Sequence, residues 1–123
     1  MRYSRVYASE DGESHIESVE VQLDAVHYLP ASPALELSRP FEAQALSLAR
    51  MPSGWISGLH PAPRRQFLVG LSGRVEICAS DGQRLVLGAG DVALVEDRTG
   101  KGHSVRVLGA AGACGIVIVL PDQ

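Results

Sequence analysis

Short apolar runs alternate with polar positions along most of this chain, and glycine, proline, aspartate and serine punctuate them. This is a strand rhythm, because successive side chains of a strand point to opposite faces. No stretch repeats apolar residues at helical spacing for long enough to predict an amphipathic helix. Residues 16–23 read as the first strand, with Val19, Val21 and Leu23 on one face and Ser18, Glu20 and Gln22 on the other. Residues 29–40 are broken by prolines and are predicted to run extended along the surface. Further strands are predicted at 43–50 and 54–60. Pro61 and Pro63 cannot donate ladder hydrogen bonds, so the second of these must end, bulge or lie at an edge there. Residues 66–71, 74–79 and 83–87 read as consecutive hairpins, turning at Ser72–Gly73 and at Ser80–Asp81–Gly82; an Asp–Gly pair suits a turn that needs positive φ. The last strands are predicted at 92–95, 103–108 and 116–120. Many short strands separated by turn signals predict an all-β sandwich or barrel.

At 123 residues the chain has the length of one domain with one core. A net charge of −3 gives no electrostatic case for nucleic acid. The longest apolar run, 110–120, is too short to span a bilayer, and nothing near Met1 reads as a signal peptide. A soluble cytoplasmic protein without a membrane partner is therefore expected. Cys78 and Cys114 are too few for a disulfide framework and read as reduced thiols. Asparagine is absent and Lys101 is the single lysine among many arginines, a bias that suggests a GC-rich bacterial genome.

Two stretches carry a specific spacing. In the first, Gly54, His60, Ala62, Gln66 and Gly73 stand at the places where the cupin pattern has glycine, histidine, histidine, glutamate and glycine. In the second, Gly82, Gly88, Gly90, Ala93 and Asp97 stand where it has glycine, proline, glycine, histidine and asparagine. The chain thus resembles a small single-domain bacterial cupin whose metal motifs have degenerated. The resemblance implies a double-stranded β-helix, or small jelly-roll barrel. The resemblance covers about 54–108, where the two motif stretches lie; the residues themselves read as N-terminal strands and an extended segment over 1–53 and a final strand within 109–123. It also implies a homodimer, since cupins commonly dimerise. An ordinary cupin holds its metal with three histidines and a glutamate, of which only His60 survives here. No cofactor is therefore expected; the alternative is one divalent transition metal on a substitute set of His60, His103 and Asp97.

Strand alternation then sorts the side chains. The resemblance places the ligand slots inside the barrel, so Ile56, Gly58, His60 and Ala62 are expected to face in, as are Ala93, Val95 and Asp97. His103 shares the parity of Val105 and Val107. Phe67, Val69 and Leu71 form a second, outer apolar face, of a kind often covered by a partner subunit. His60, His103 and Asp97 are the candidate catalytic residues. His60 can be acid, base, ligand or simply a satisfied polar residue. Asp97 can orient a histidine or cap its own turn; His103 can face the cavity or sit at the rim. Gln66 can hydrogen-bond a ligand. Arg64, beside Arg65, can clamp a carboxylate at the mouth or be a solvated turn residue. Trp55 can form a lip or pack in the core. His15 and His27 have no partner suggested by spacing and read as structural. Three functional classes follow: a metal-independent acid–base enzyme (isomerase, lyase or cyclase) acting on a small polar metabolite, a metal-dependent oxygenase or hydrolase, and a module that binds or senses a ligand without chemistry.

Overall fold

The computed structural model describes residues 1–122. They form β1 (Arg2–Ala8), β2 (Ser14–Glu20), β3 (Asp24–Val26), β4 (Leu35–Leu37), β5 (Ala45–Met51), β6 (Ile56–His60), β7 (Gln66–Ser72), β8 (Arg74–Ala79), β9 (Arg84–Leu87), β10 (Val92–Val95), β11 (His103–Leu108) and β12 (Ala113–Val119). Among the described residues there is no helix long and apolar enough to cross a membrane. One sheet has six strands in the order β2-β1-β10-β7-β12-β5; the other has four, β6-β11-β8-β9; β3 and β4 pair separately. The result is the all-β jelly-roll barrel expected from the sequence.

Alternation supplies the core. Ala93 and Ala113 of the larger sheet meet Val75, Leu87 and Val107 of the smaller one. Val6 and Val95 meet Ile77 across the same interior, beside Ala62. Ile77 and Val6 are fully buried, and each such side chain contributes about 1.5–3 kcal/mol through burial.

The element order corrects several expectations. The first strand is β1, ahead of the stretch read as first, and β2 begins earlier than residues 16–23 suggested. β1 runs parallel to β10, with Val6 opposite Val95, and antiparallel to β2. Its signal was masked because only Val6 is fully buried, while Arg5 sits on the outer face bonded to Glu17 and Glu96. The extended 29–40 stretch contains β4, paired with β3. Residues 66–71 and 74–79 do not form a hairpin: β7 pairs with β10 and β12, and β8 with β9 and β11. At Ser72–Gly73 the chain passes from one sheet to the other. The hairpin of β8 and β9 is present, with Gly82 at φ 94° in its turn.

The outer apolar face is covered differently from the expectation. Phe67 is only 8 % exposed, yet its cover comes from its own chain. Tyr3 and Phe41 meet its ring edge to face, with centroids 5.4 and 4.9 Å away. Leu94 and Leu120 complete the cluster. Phe67 therefore gives no reason to invoke a second subunit, although Leu71 on the same strand remains exposed.

One irregularity decides which side chains enter the barrel. Opposite β11, His60 pairs with His103, but Ser57 pairs with Val105 and Ile56 with Arg106. The register shift is a bulge in β6, and a bulge resets the alternation. Ile56, expected inside, is 71 % exposed beside Arg106. Ser57 is half-buried next to it, its hydroxyl accepting from the Val105 amide at 3.1 Å.

Candidate functional site

His60 ends β6 and His103 begins β11, directly opposite in register. Their ring centroids lie 4.9 Å apart, with the rings tilted by 49°. The strands come this close because the residue before His103 is glycine. Gly102 has φ +73°, and a Cβ there would lie 2.0 Å from the backbone carbonyl of His60. The Ser14 hydroxyl donates to the Gly102 carbonyl at 2.7 Å and fixes the approach from the other side.

Each imidazole is held at Nδ1. His60 Nδ1 lies 2.9 Å from the carbonyl of Gly58, within the bulge. A carbonyl only accepts, so this nitrogen carries the hydrogen and Nε2 keeps its lone pair. His103 Nδ1 lies 2.6 Å from Asp97 Oδ2, and the same tautomer follows for an ionised carboxylate. His103 is 4 % exposed and Asp97 is fully buried. Asp97 follows β10, and its backbone carbonyl accepts from the Ala62 amide at 2.9 Å. Its second oxygen, Oδ1, is buried without a partner among the described residues. The alternatives left by the sequence therefore separate: Asp97 orients a histidine, and His103 sits inside rather than at the rim.

A cavity of about 250 Å³ opens beside the rings. His60, His103 and Gln66 line it, with Trp55 at its margin, 39 % exposed, as a lip. Leu68, Val117, Ile77, Val95, Val105 and Met51 are among its walls. Among the described residues no lysine, arginine, aspartate or glutamate lines it. Arg64 is corrected by this: its guanidinium bonds the Gln44 side chain at 3.0 Å in solvent, away from the cavity. Arg65 turns outward to Glu96 at 2.7 Å. Burial pushes the Glu96 carboxyl up, but the hydrogen bonds and charges of Arg5 and Arg65 outweigh it and hold it below the ordinary range.

Sequence reasoning missed Met51, Ser72 and Cys114 in the lining. Met51 was legible in principle, since it alternates with Ala49 toward the inside; Cys114 adjoins a register shift against β7 and was not. It also missed the partners of His15, whose Nδ1 meets Asp81 at 2.8 Å and whose Nε2 meets the Ser9 hydroxyl at 2.8 Å. The Ser9 hydroxyl also reaches Asp11 at 2.5 Å, so this set straps a turn to the β8–β9 hairpin.

The donor set does not fit a metal. Two of the ordinary ligand slots hold alanine and one holds glutamine. The substitute set fails on geometry: Asp97 stands behind His103, bonded to Nδ1, instead of beside it facing a shared point. Among the described residues no group of three His, Cys, Asp or Glu side chains converges to hold a metal ion, and about three protein ligands are the usual minimum for a catalytic site.

Residues 47–119 match the model of the cupin domain family, and the chain belongs to that family. A cupin 2 conserved barrel domain protein from Salinispora arenicola shares 23% identity at a TM-score of 0.51, over 82% of this chain and 76% of that one. A sugar phosphate isomerase from a cupin superfamily of Silicibacter pomeroyi is similar at 21% identity and a TM-score of 0.49; 63% of this chain covers 50% of that protein, so the match spans half its length. The dTDP-6-deoxy-D-glucose-3,5-epimerase of Legionella pneumophila is similar at 14% identity and a TM-score of 0.48, over 98% of this chain and 74% of that one. No curated protein matches the chain. At these identities the likeness speaks to the fold alone.

Proposed function

We propose that this cupin is a metal-independent acid–base enzyme, of isomerase, lyase or cyclase type, acting on a small molecule in the barrel cavity. The observation that carries the reading is the 2.6 Å contact between His103 Nδ1 and the fully buried Asp97. A carboxylate at Nδ1 fixes the ring and its tautomer and compensates the charge that forms when Nε2 takes a proton. His60, 4.9 Å away between ring centroids and held in the same tautomer, is the second proton-transfer group. The step is a proton shift: one imidazole takes a proton from carbon next to a carbonyl on its Nε2 lone pair, the enolate forms, and that same proton returns at carbon or oxygen from the imidazolium, directly or after passing to Nε2 of the other ring. Gln66 supplies the side-chain amide for the substrate's oxygen.

The protein is further taken to be a cytoplasmic bacterial homodimer. Free thiols at Cys78 and Cys114 suit a reducing compartment. Leu46 and Leu48, 62 % and 77 % exposed on the edge strand β5, suit a second copy.

The test is hydrogen–deuterium exchange at the α-carbon of enolisable carbonyl compounds, followed by NMR in chelator-treated protein. The expected result is catalysed exchange that falls by about 10²–10⁴-fold in His103→Ala. Exchange at the same rate in both proteins overturns the assignment. Binding without exchange in either selects a ligand-binding role in place of catalysis.

A further inference from the structure

The cavity is polar at one end and apolar over the rest of its length. Its polar groups gather where His60 and His103 face each other and where Gln66 opens β7. From there the walls run through Leu68, Val105 and Val117 to Met51, Val75 and Leu87 at the far end. Ser72 and Cys114 are the polar-capable exceptions, on the adjoining strands β7 and β12.

Charge complementarity narrows the ligand further. A phosphate or carboxylate taken out of water needs a cation or several aligned donors, or its burial is strongly unfavourable. Three arginines near the site bond elsewhere, Arg65 and Arg5 to Glu96 on the outer face and Arg64 to Gln44 in solvent, while Arg50 of β5 is exposed and outside the lining. The polar side chains of the lining, His60, His103, Gln66, Trp55, Ser72 and Cys114, are outnumbered by apolar ones, a poor match for a sugar with a hydroxyl on most of its carbons. The volume, about 250 Å³, is at the small end for ligand sites. It suits a molecule of on the order of ten non-hydrogen atoms.

We infer that the substrate is an uncharged, compact ketone or its enol, with a hydrocarbon body in the apolar length of the barrel and one oxygen at the His60–His103 end. This specifies the substrate class for the acid–base reading above and rests on that reading for the chemistry. It departs from a small polar metabolite and from the phosphorylated and nucleotide-linked sugars named for some structural neighbours.

The experiment is isothermal titration calorimetry with two probes: 1-tetralone, an enolisable bicyclic ketone, and glucose 6-phosphate. Tetralone is expected to bind with a Kd of about 1 mM or tighter, and the sugar phosphate not to bind in the same range. Ala49→Phe, which pushes a ring into the cavity from a half-buried position on the edge strand β5, should weaken tetralone by about tenfold or more. Saturation-transfer NMR on the unaltered protein gives a second readout, independent of whether that variant folds. Magnetisation should reach the hydrocarbon ring protons of tetralone from protein methyl groups. Binding of the sugar phosphate in preference to tetralone, or no binding of tetralone, overturns the substrate class. Deuterium exchange at the tetralone α-carbon is read in the same samples. Binding without exchange leaves the class standing and sinks the acid–base reading, so the two failures are distinct.

Discussion

Gly102 and His60 touch through their backbones: a Cβ on Gly102 would lie 2.0 Å from the His60 carbonyl. The imidazoles meet because the strand next to His60 has no side chain at that point. Gly102→Ala is expected to force β6 away from β11 and to strain a residue held at φ +73°. The combined cost is about 1–3 kcal/mol. A lower urea midpoint together with altered His60 and His103 ring shifts in NMR checks this. An alanine variant with unchanged stability and ring shifts would falsify the account of how the pair is assembled.

Asp97→Asn keeps the shape beside His103 Nδ1 and removes the charge. An asparagine oxygen still accepts from Nδ1, but no carboxylate compensates an imidazolium. The expected outcome is a fall in kcat of about 10²–10⁴-fold with KM little changed and the fold intact. Nitrogen NMR of the neutral His103 ring in the unaltered protein should show the proton on Nδ1. A proton found on Nε2 would remove Asp97 from the positioning role.

Acid should destabilise the fold in part through Glu96. Burial raises its carboxyl, yet Arg5 and Arg65 hold it below the ordinary range. A carboxyl depressed by folding contributes stability above its unfolded value, near about 4.3, and that contribution is lost as pH falls through the lower folded value. Glu96→Gln should cost about 1–3 kcal/mol at neutral pH and reduce the slope of stability against pH in the acid range. The slope should shrink without vanishing, because Lys101 holds Glu13 down and Arg106 holds Glu76 down. Urea midpoints from neutral pH into acid measure it; identical acid slopes in the two proteins would locate the sensitivity elsewhere.

Leu48 is 77 % exposed on an edge strand with one neighbour, β12. Light scattering at micromolar concentration should give a dimer, and Leu48→Lys should give a folded monomer. A monomer mass for the unaltered chain would rule out the second copy as the cover for β5.

The barrel was legible because alternating strands and turn signals recur over 66–108, even though the Ser72–Gly73 hairpin was misread, and because the family spacing runs from Gly54 to Asp97. The inward parity of Asp97 and His103 was legible too, because β10 runs straight into Asp97 and β11 starts at His103. What failed was anything set by partners distant in sequence. Ile56 was misplaced because parity was carried through a bulge that exists only in the pairing of β6 with β11. β1 was missed because its outward Arg5 is satisfied by Glu96, 91 positions away. Arg64 and Arg65 stayed open between a clamp and a solvated turn because their acceptors, Gln44 and Glu96, are not neighbours in the chain.

The parallel seat of β1 beside β10 sets an order of assembly. During synthesis the β1–β2 hairpin emerges long before the residues that will hold it. It must wait, with Tyr3 and Val6 in water, until β7 and β10 have been made and can receive it. Closing so long a loop late is entropically slow, and folds dominated by such contacts take about milliseconds to seconds to form. The nascent chain therefore passes through a stage in which the edge of β10 stands open. Any segment that captures that edge first would compete with the chain's own N-terminal strand.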